Sequence, residues 1–205
     1  VLALQQLGAG ELAGARAIAD AALSAARRRG ERTGEARLLA VIGAVERAEG
    51  DLAAAARSFR RASELADGQG EYHAAASFLI NLGTAQLDAG ELGPALLGLR
   101  QGARRLARLG RERDLARALT NLVLAAQLTG DFERALSLGA LAEQTARGAQ
   151  DACALAFALL SAAEVRVERP EHPADGPVNQ PVGLDLAHVV RLDGVQRGGK
   201  DLVLV

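Results

Sequence analysis

Two asparagines and one arginine are the residues of this sequence best suited to bind another molecule. Asn81 and Asn121 lie 40 residues apart, and Arg117 precedes Asn121 by four residues, one turn of a helix. A side-chain amide both donates and accepts hydrogen bonds, so two of them could hold the backbone of an extended peptide whatever its side chains. The arginine could pair with an acidic side chain or a terminal carboxylate. An alternative stays open, in which the asparagines bridge adjacent helices of the scaffold.

No set of residues indicates catalysis or metal binding. The histidines His73, His172 and His188 are scattered, with no i, i+4 pair and no nearby cysteine, whereas metal sites need clustered ligands. We interpret His73 as an exposed residue at a helix start. We interpret Cys153, on an alanine-rich helix, as a small core residue. The sequence therefore predicts no enzyme activity, no metal site and no cofactor.

Charge and composition argue against nucleic acid and membranes as partners. The formal net charge is −1, so no net field draws the protein to anionic surfaces. The clustered arginines Arg27–Arg29 and Arg104, Arg105 and Arg108 suit helix C-termini, and no aromatic residues interleave with them to stack bases. No apolar run approaches the roughly 18 residues needed to span a bilayer. A single cysteine cannot form an internal disulfide, which fits the cytoplasm.

The sequence repeats with a period of 40 residues, and such a period predicts the fold. The repeated turn sequences are Gly10-Glu11-Leu12, Gly50-Asp51-Leu52, Gly90-Glu91-Leu92 and Gly130-Asp131-Phe132. A second register contains Gly30, Gly70 and Gly110, with Gln150 in the fourth place. Glycine just past a helix end can adopt the left-handed conformation in which the last carbonyls of the helix accept hydrogen bonds. An acidic residue at the start of the next helix interacts favourably with the helix dipole. Each unit is therefore predicted to be a pair of antiparallel helices joined by a tight turn.

Apolar residues at helical spacing between the glycines set the predicted helix boundaries. The first helices of the pairs are predicted near 1–9, 34–49, 71–89, 112–129 and 151–168. The second helices are predicted near 12–29, 52–69, 92–109 and 132–148. Because one hairpin cannot bury its apolar face alone, neighbouring hairpins must stack into a superhelix.

The stretches NLGTAQLDAGELGPAL and NLVLAAQLTGDFERAL resemble tetratricopeptide repeats, with small residues at the eighth and twentieth positions of the unit. The resemblance covers residues 1–168, and the period of 40 is similar to the long type found in kinesin light chains, mitotic-spindle scaffold proteins and bacterial signalling proteins. It implies an all-α fold, a right-handed α-solenoid of antiparallel helix hairpins whose first helices line a concave groove. It places seven candidate peptide-binding residues on that groove: Ser77, Asn81, Thr84, Arg117, Asn121, Leu124 and Gln127.

This resemblance implies a protein-interaction scaffold that binds a peptide or a partner segment in the groove. The chain begins at Val1 within a helical pattern, so we interpret it as a piece of a longer polypeptide, and its richness in alanine and arginine suggests a bacterial origin. We expect it to be a module of a larger regulatory or signalling protein. Two alternatives stay open. The repeats could serve as a spacer or a self-association surface, forming a homo-oligomer without a groove ligand, or they could form a small-molecule sensor.

The C-terminal part of the chain changes character after residue 168. Four of the five prolines lie between 170 and 181, so residues 169–183 are predicted to be an extended linker. Residues 184–205 are rich in β-forming valines and leucines, and Asp193-Gly194 suits a hairpin turn. This segment is predicted to be either a β-hairpin that docks on the last repeat or the start of another domain.

Overall fold

The computed structural model describes residues 12–168, and every regular element within them is an α-helix. The eight helices are α1 Leu12–Arg29, α2 Arg32–Glu49, α3 Leu52–Gly68, α4 Tyr72–Asp88, α5 Leu92–Arg108, α6 Glu112–Leu128, α7 Phe132–Gly148 and α8 Ala152–Glu168. Each boundary lies within two residues of its predicted position, and the prediction of an all-α fold is confirmed. The predicted helix 1–9, the linker 169–183 and the segment 184–205 lie outside the described residues.

Tight turns join consecutive helices, and each contains one residue in the left-handed backbone conformation. At the end of α4, Gly90 has a φ of +74°, and its N–H donates to the Leu87 carbonyl at 2.9 Å. The next N–H, of Glu91, donates to the Gln86 carbonyl at 2.8 Å. These hydrogen bonds satisfy carbonyl groups that have no partner within the helix at its C-terminal end. Gln150 adopts the same conformation with φ +51°, which costs a residue with a Cβ atom about 1–2 kcal/mol.

The residue after each turn glycine is the N-cap of the next helix. It is acidic except at Arg111, and aspartate and glutamate cap the helix differently. The Ala54 N–H donates to Asp51 Oδ1 at 2.9 Å, and the Arg134 N–H donates to Asp131 Oδ1 at 3.1 Å. Glu91 makes no side-chain cap hydrogen bond at the start of α5. The shorter aspartate reaches an N–H that has no partner in the helix, whereas glutamate contributes its charge alone.

Small residues bring the two helices of a hairpin into close contact. A Cβ atom on Gly83 of α4 would lie 2.7 Å from Leu99 Cγ and 3.1 Å from the Ala95 carbonyl oxygen, both on α5. In the preceding hairpin, a Cβ atom on Gly43 would lie 3.1 Å from the ring of Phe59. Leu99 and Phe59 are buried, and such burial contributes roughly 1.5–3 kcal/mol for each side chain. The glycines therefore let a large side chain of the second helix pack on the backbone of the first.

Packing joins each helix to the next one along the chain, so the described structure is an all-α solenoid and not a closed bundle. In addition, α4 packs on α6, and α6 packs on α8. Extensive packing between the helices of residues 12–168 is confined to these neighbours. The helices α2, α4, α6 and α8 are the first helices of their hairpins. Because α6 packs on both α4 and α8, these three helices form a continuous layer on one side of the solenoid.

Two buried carboxylates join the first three helices. Glu35 accepts hydrogen bonds from Arg27 Nε at 3.0 Å and from Arg32 at 3.2 Å. Burial alone raises the pKa of Glu35, but the hydrogen bonds from Arg27 and Arg32 outweigh it and hold the pKa below its ordinary value. Glu46 accepts a hydrogen bond from Ser58 Oγ at 2.6 Å. The ion pairs therefore tie α1 to α2, and the serine ties α2 to α3.

Candidate functional site

Four of the seven predicted groove residues line one depression between α4 and α6. Ser77 and Asn81 come from α4, and Arg117 and Asn121 come from α6. The depression has a volume of about 130 Å³. Residues 77 and 117, like residues 81 and 121, are one 40-residue unit apart. Stacking of the units therefore places equivalent side chains of neighbouring first helices side by side.

Asn121 and Thr84 link α6 to α4. Asn121 Nδ2 donates to Thr84 Oγ1 at 3.0 Å, and Thr84 Oγ1 donates to the Ile80 carbonyl at 2.9 Å. One N–H of the half-buried Asn121 therefore serves the scaffold, which is the alternative that the sequence left open. Asn81 has no equivalent bond because the residue 40 positions before Thr84 is Ala44, which has no hydroxyl group.

Asn81 and Arg117 are exposed side chains without a partner. Neither makes a hydrogen bond or an ion pair with another residue of the described range 12–168. The amide of Asn81 retains both donors and its acceptor, and Arg117 carries a permanent positive charge with five N–H donors. These two groups are the most available for a ligand in the depression.

Asp114 also lines the depression, and its carboxylate is already engaged. His73 Nε2 on α4 lies 2.7 Å from Asp114 Oδ2 on α6, and Arg111 Nε lies 3.7 Å from the same oxygen. His73 lies at the start of α4 as predicted, but the prediction that it is exposed is corrected, because the half-buried side chain contacts Asp114 of the next hairpin. His73 and Asp114 are 41 residues apart in the sequence, about one repeat unit, and this separation is the sequence signal for their contact. The same separation holds for the ion pair of Arg47 with Asp88, whose Nε and Oδ2 atoms lie 2.5 Å apart.

Leu124 and Gln127 extend the surface along α6 beyond the depression. Leu124 lies three residues after Asn121 and is exposed, and Gln127 follows three residues later and is half-buried. Residues at such spacing share one face of a helix. The seven predicted residues on α4 and α6 are called the groove surface below.

The other candidate residues hold scaffold or surface positions. Arg27 pairs with a glutamate of α2, and Arg105 pairs with Asp67 at 2.7 Å. Cys153 is exposed and does not belong to the core, because its repeat position is a surface one: Arg113, one unit earlier, is exposed as well. Within residues 12–168 no group of three or more His, Cys, Asp or Glu side chains is arranged to hold a metal ion. None of the described helices has the length and apolar character needed to cross a membrane.

Comparison with known proteins finds a likeness in fold. No family model and no curated protein matches this chain. Among solved structures, the crystal structure of BtubC (BKLC) from P. vanneervenii is similar with a TM-score of 0.62 and 16% sequence identity, over 87% of this chain and 85% of that chain. At this identity the likeness shows the fold alone. The likeness agrees with the all-α solenoid of helix hairpins described above.

Proposed function

We propose that the groove surface binds an extended segment of a partner protein. Helical-repeat solenoids typically mediate protein interactions through extended surfaces of this kind. The observation that carries the proposal is one depression between neighbouring first helices that holds Asn81, Arg117 and Asn121. Asn81 and Arg117 have no partner among residues 12–168, so they can bind a ligand without losing a hydrogen bond that holds the helices together.

The spacing of the first helices suits an extended peptide. Packed helices lie about 8–10 Å apart, and an extended chain advances about 3.3 Å per residue. Equivalent side chains of α4 and α6 are therefore about three peptide residues apart along the groove. Asn81 offers its amide to the peptide backbone, and Asn121 Oδ1 offers an acceptor from the next helix.

Arg117 sets the charge of the ligand, which carries an acidic side chain or a free terminal carboxylate. Among the residues that line the depression, Asp114 is the one carboxylate, and it is shared by His73 and Arg111. Arg117 therefore keeps its full charge for the ligand. A carboxylate can accept two parallel hydrogen bonds from a guanidinium group, and losing a hydrogen bond to a charged group costs about 1.5–3 kcal/mol.

The alternative of a small-molecule sensor has less support at this site. The depression measures about 130 Å³, whereas sites for small organic ligands usually enclose about 300–1,000 Å³. The alternative of a spacer without a ligand explains the hydrogen bond between Asn121 and Thr84, but it leaves Asn81 and Arg117 without a role. A test must therefore change these two residues.

The proposal includes a wider setting, in which this domain is the docking module of a larger bacterial regulatory protein in the cytoplasm. Cys153 is a free and exposed cysteine. Free thiols of this kind persist in reducing compartments. Reading the full-length open reading frame would test this setting, because it would show which domains accompany the module.

A library of peptides displayed with free C-termini, selected on the full chain, tests the proposal. Selected peptides should contain an acidic residue or end near the depression with their carboxylate. Asn81→Ala combined with Arg117→Gln should weaken their binding about 10- to 100-fold, with helicity and melting unchanged because both side chains are exposed. The matched control is Gln101→Ala with Arg108→Gln, an exposed amide and an exposed arginine on α5. Equal affinity of the two double variants would contradict the proposal.

A further inference from the structure

In the hairpins that the structure describes in full, one face of the first helix packs on the second helix. In α4 this face contains Ala76, Ile80 and Gly83. A Cβ atom on Gly102 of α5 would touch Ile80 and the Ala76 carbonyl oxygen, and a Cβ atom on Gly83 would touch Leu99 of α5. All three residues of α4 are buried, with Ile80 8% exposed.

Among the helices of residues 12–168, none packs against the same face of α8. The residues 80 positions after Ala76, Ile80 and Gly83 are Ala156, Leu160 and Ala163, and all three are exposed. Leu160 is 57% exposed. Leu159 on the same face is 45% exposed, whereas its equivalent on α6, Leu119, is 0% exposed. We define the α8 hairpin face by its exposed residues Ala156, Leu159, Leu160 and Ala163.

The tight turn that joins the two helices of the other hairpins is not encoded after α8. Each described turn has a residue with positive φ in the register that runs through Gly130 and Gln150. The next residue in that register is Pro170, and the proline ring fixes φ near −65°. The tight turn that would fold a second helix back onto α8 is therefore not available at this position.

We propose that the α8 hairpin face binds the same face of a second copy of this chain, so that each α8 supplies the missing helix of the other. The face suits itself because no charged residue occurs between Ala152 and Ala163, so two copies meet without burying a charge. Its residues recur at i, i+3, i+4 and i+7, the spacing of a helix–helix seam. A contact between identical patches across a two-fold axis closes at the dimer.

The expected dimer is weak. A helix of 17 residues is about 26 Å long, and one pair of such helices buries less than the 1,200–2,000 Å² of a standard interface. We therefore expect a dissociation constant on the order of 100 μM, with the groove surface left open. This inference does not depend on the peptide-binding proposal, because it uses a different face of the first helices.

Sedimentation of the full chain across a concentration series, roughly 10–1,000 μM, tests the inference. The mass of the wild type should rise from 21.2 kDa toward twice that value as the concentration increases. Leu160→Glu should remain monomeric over the series, because the dimer would bury a glutamate from each copy, and its dissociation constant should rise at least about tenfold. The matched control Leu97→Glu changes a leucine of α5 that is 55% exposed, and it should dimerise like the wild type.

Thermal melting of the same variants distinguishes the other occupants of the face. If the inference holds, Leu160→Glu melts like the wild type at low concentration, because Leu160 is exposed in the monomer. A monomeric wild type at every concentration would overturn the inference. A large loss of melting temperature in a monomeric Leu160→Glu variant would overturn it as well, because the face would then be covered by the chain itself.

Discussion

The substitution Gly83→Ala tests the close contact between α4 and α5 that holds a hairpin together. An alanine in a helix interior is favoured over glycine by about 1 kcal/mol. Here the added methyl group would lie 2.7 Å from Leu99 Cγ and 3.1 Å from a backbone oxygen of Ala95. Leu99 is buried and the backbone cannot yield, so overpacking of about 1–3 kcal/mol opposes the gain. We expect a net loss of about 1 kcal/mol in the free energy of unfolding.

Gly98→Ala is the matched control in the same hairpin. A Cβ atom at Gly98 would lie 3.7 Å from the nearest atom, the Leu79 carbonyl oxygen, which is ordinary contact. The free energy of unfolding of this variant should increase by about 1 kcal/mol. The difference between the two variants therefore measures the cost of overpacking at Gly83. Urea unfolding followed by circular dichroism gives both free energies. If Gly83→Ala is as stable as Gly98→Ala, the close contact does not exist. In a Leu99→Ala background, Gly83→Ala should cost less unfolding free energy, because the contact at 2.7 Å has been removed and the one with the Ala95 oxygen at 3.1 Å remains.

Three further substitutions test other features of the scaffold. The folded-state pKa of Glu35 is lowered, so its stabilising effect is present above the unfolded pKa of about 4.3 and is lost as the pH falls through the folded value. Thermal melting of Glu35→Gln should therefore lie below that of the wild type at neutral pH and approach it in acid. Asp51→Ala should lose about 1 kcal/mol of unfolding free energy with its cap hydrogen bond, whereas Glu91→Ala should lose a few tenths in the same urea assay. Gln150→Gly should increase the free energy of unfolding by about 1 kcal/mol, because glycine adopts positive φ without strain. An unchanged free energy of unfolding would contradict the left-handed conformation of residue 150.

The repeat within each hairpin could be predicted from the sequence because its signals are local. The residue that ends a helix and the residue that begins the next are adjacent in the chain, so Gly90 and Glu91 indicate the turn by themselves. Gly83 likewise indicates a close contact once the helix is assigned. The helix boundaries, the order of elements and the solenoid follow from these positions and from the need of each hairpin to bury its apolar face.

Contacts between hairpins could not be predicted from the sequence to the same degree. His73 contacts Asp114 at a separation of 41 residues, and Asn121 contacts Thr84 at a separation of 37. These separations depend on how one hairpin is shifted along the next, which the period of 40 does not specify. The exposure of Cys153 follows from its repeat position, which is also exposed at Arg113 one unit earlier, whereas the alanine-rich sequence around Cys153 fits both a core and a surface.

The confinement of packing to neighbouring helices has a consequence for how such a gene evolves. Loss of residues 51–90 would join Gly50 to Glu91 and restore the same turn, while a loss that is not a multiple of 40 residues would shift the helix ends relative to those of the neighbouring hairpins. Recombination between repeats can therefore lengthen or shorten the protein in steps of forty codons while the remaining hairpins keep their packing. The same loss would remove α4 with Ser77, Asn81 and Thr84, so the length of the solenoid and the residues of its proposed binding surface change together.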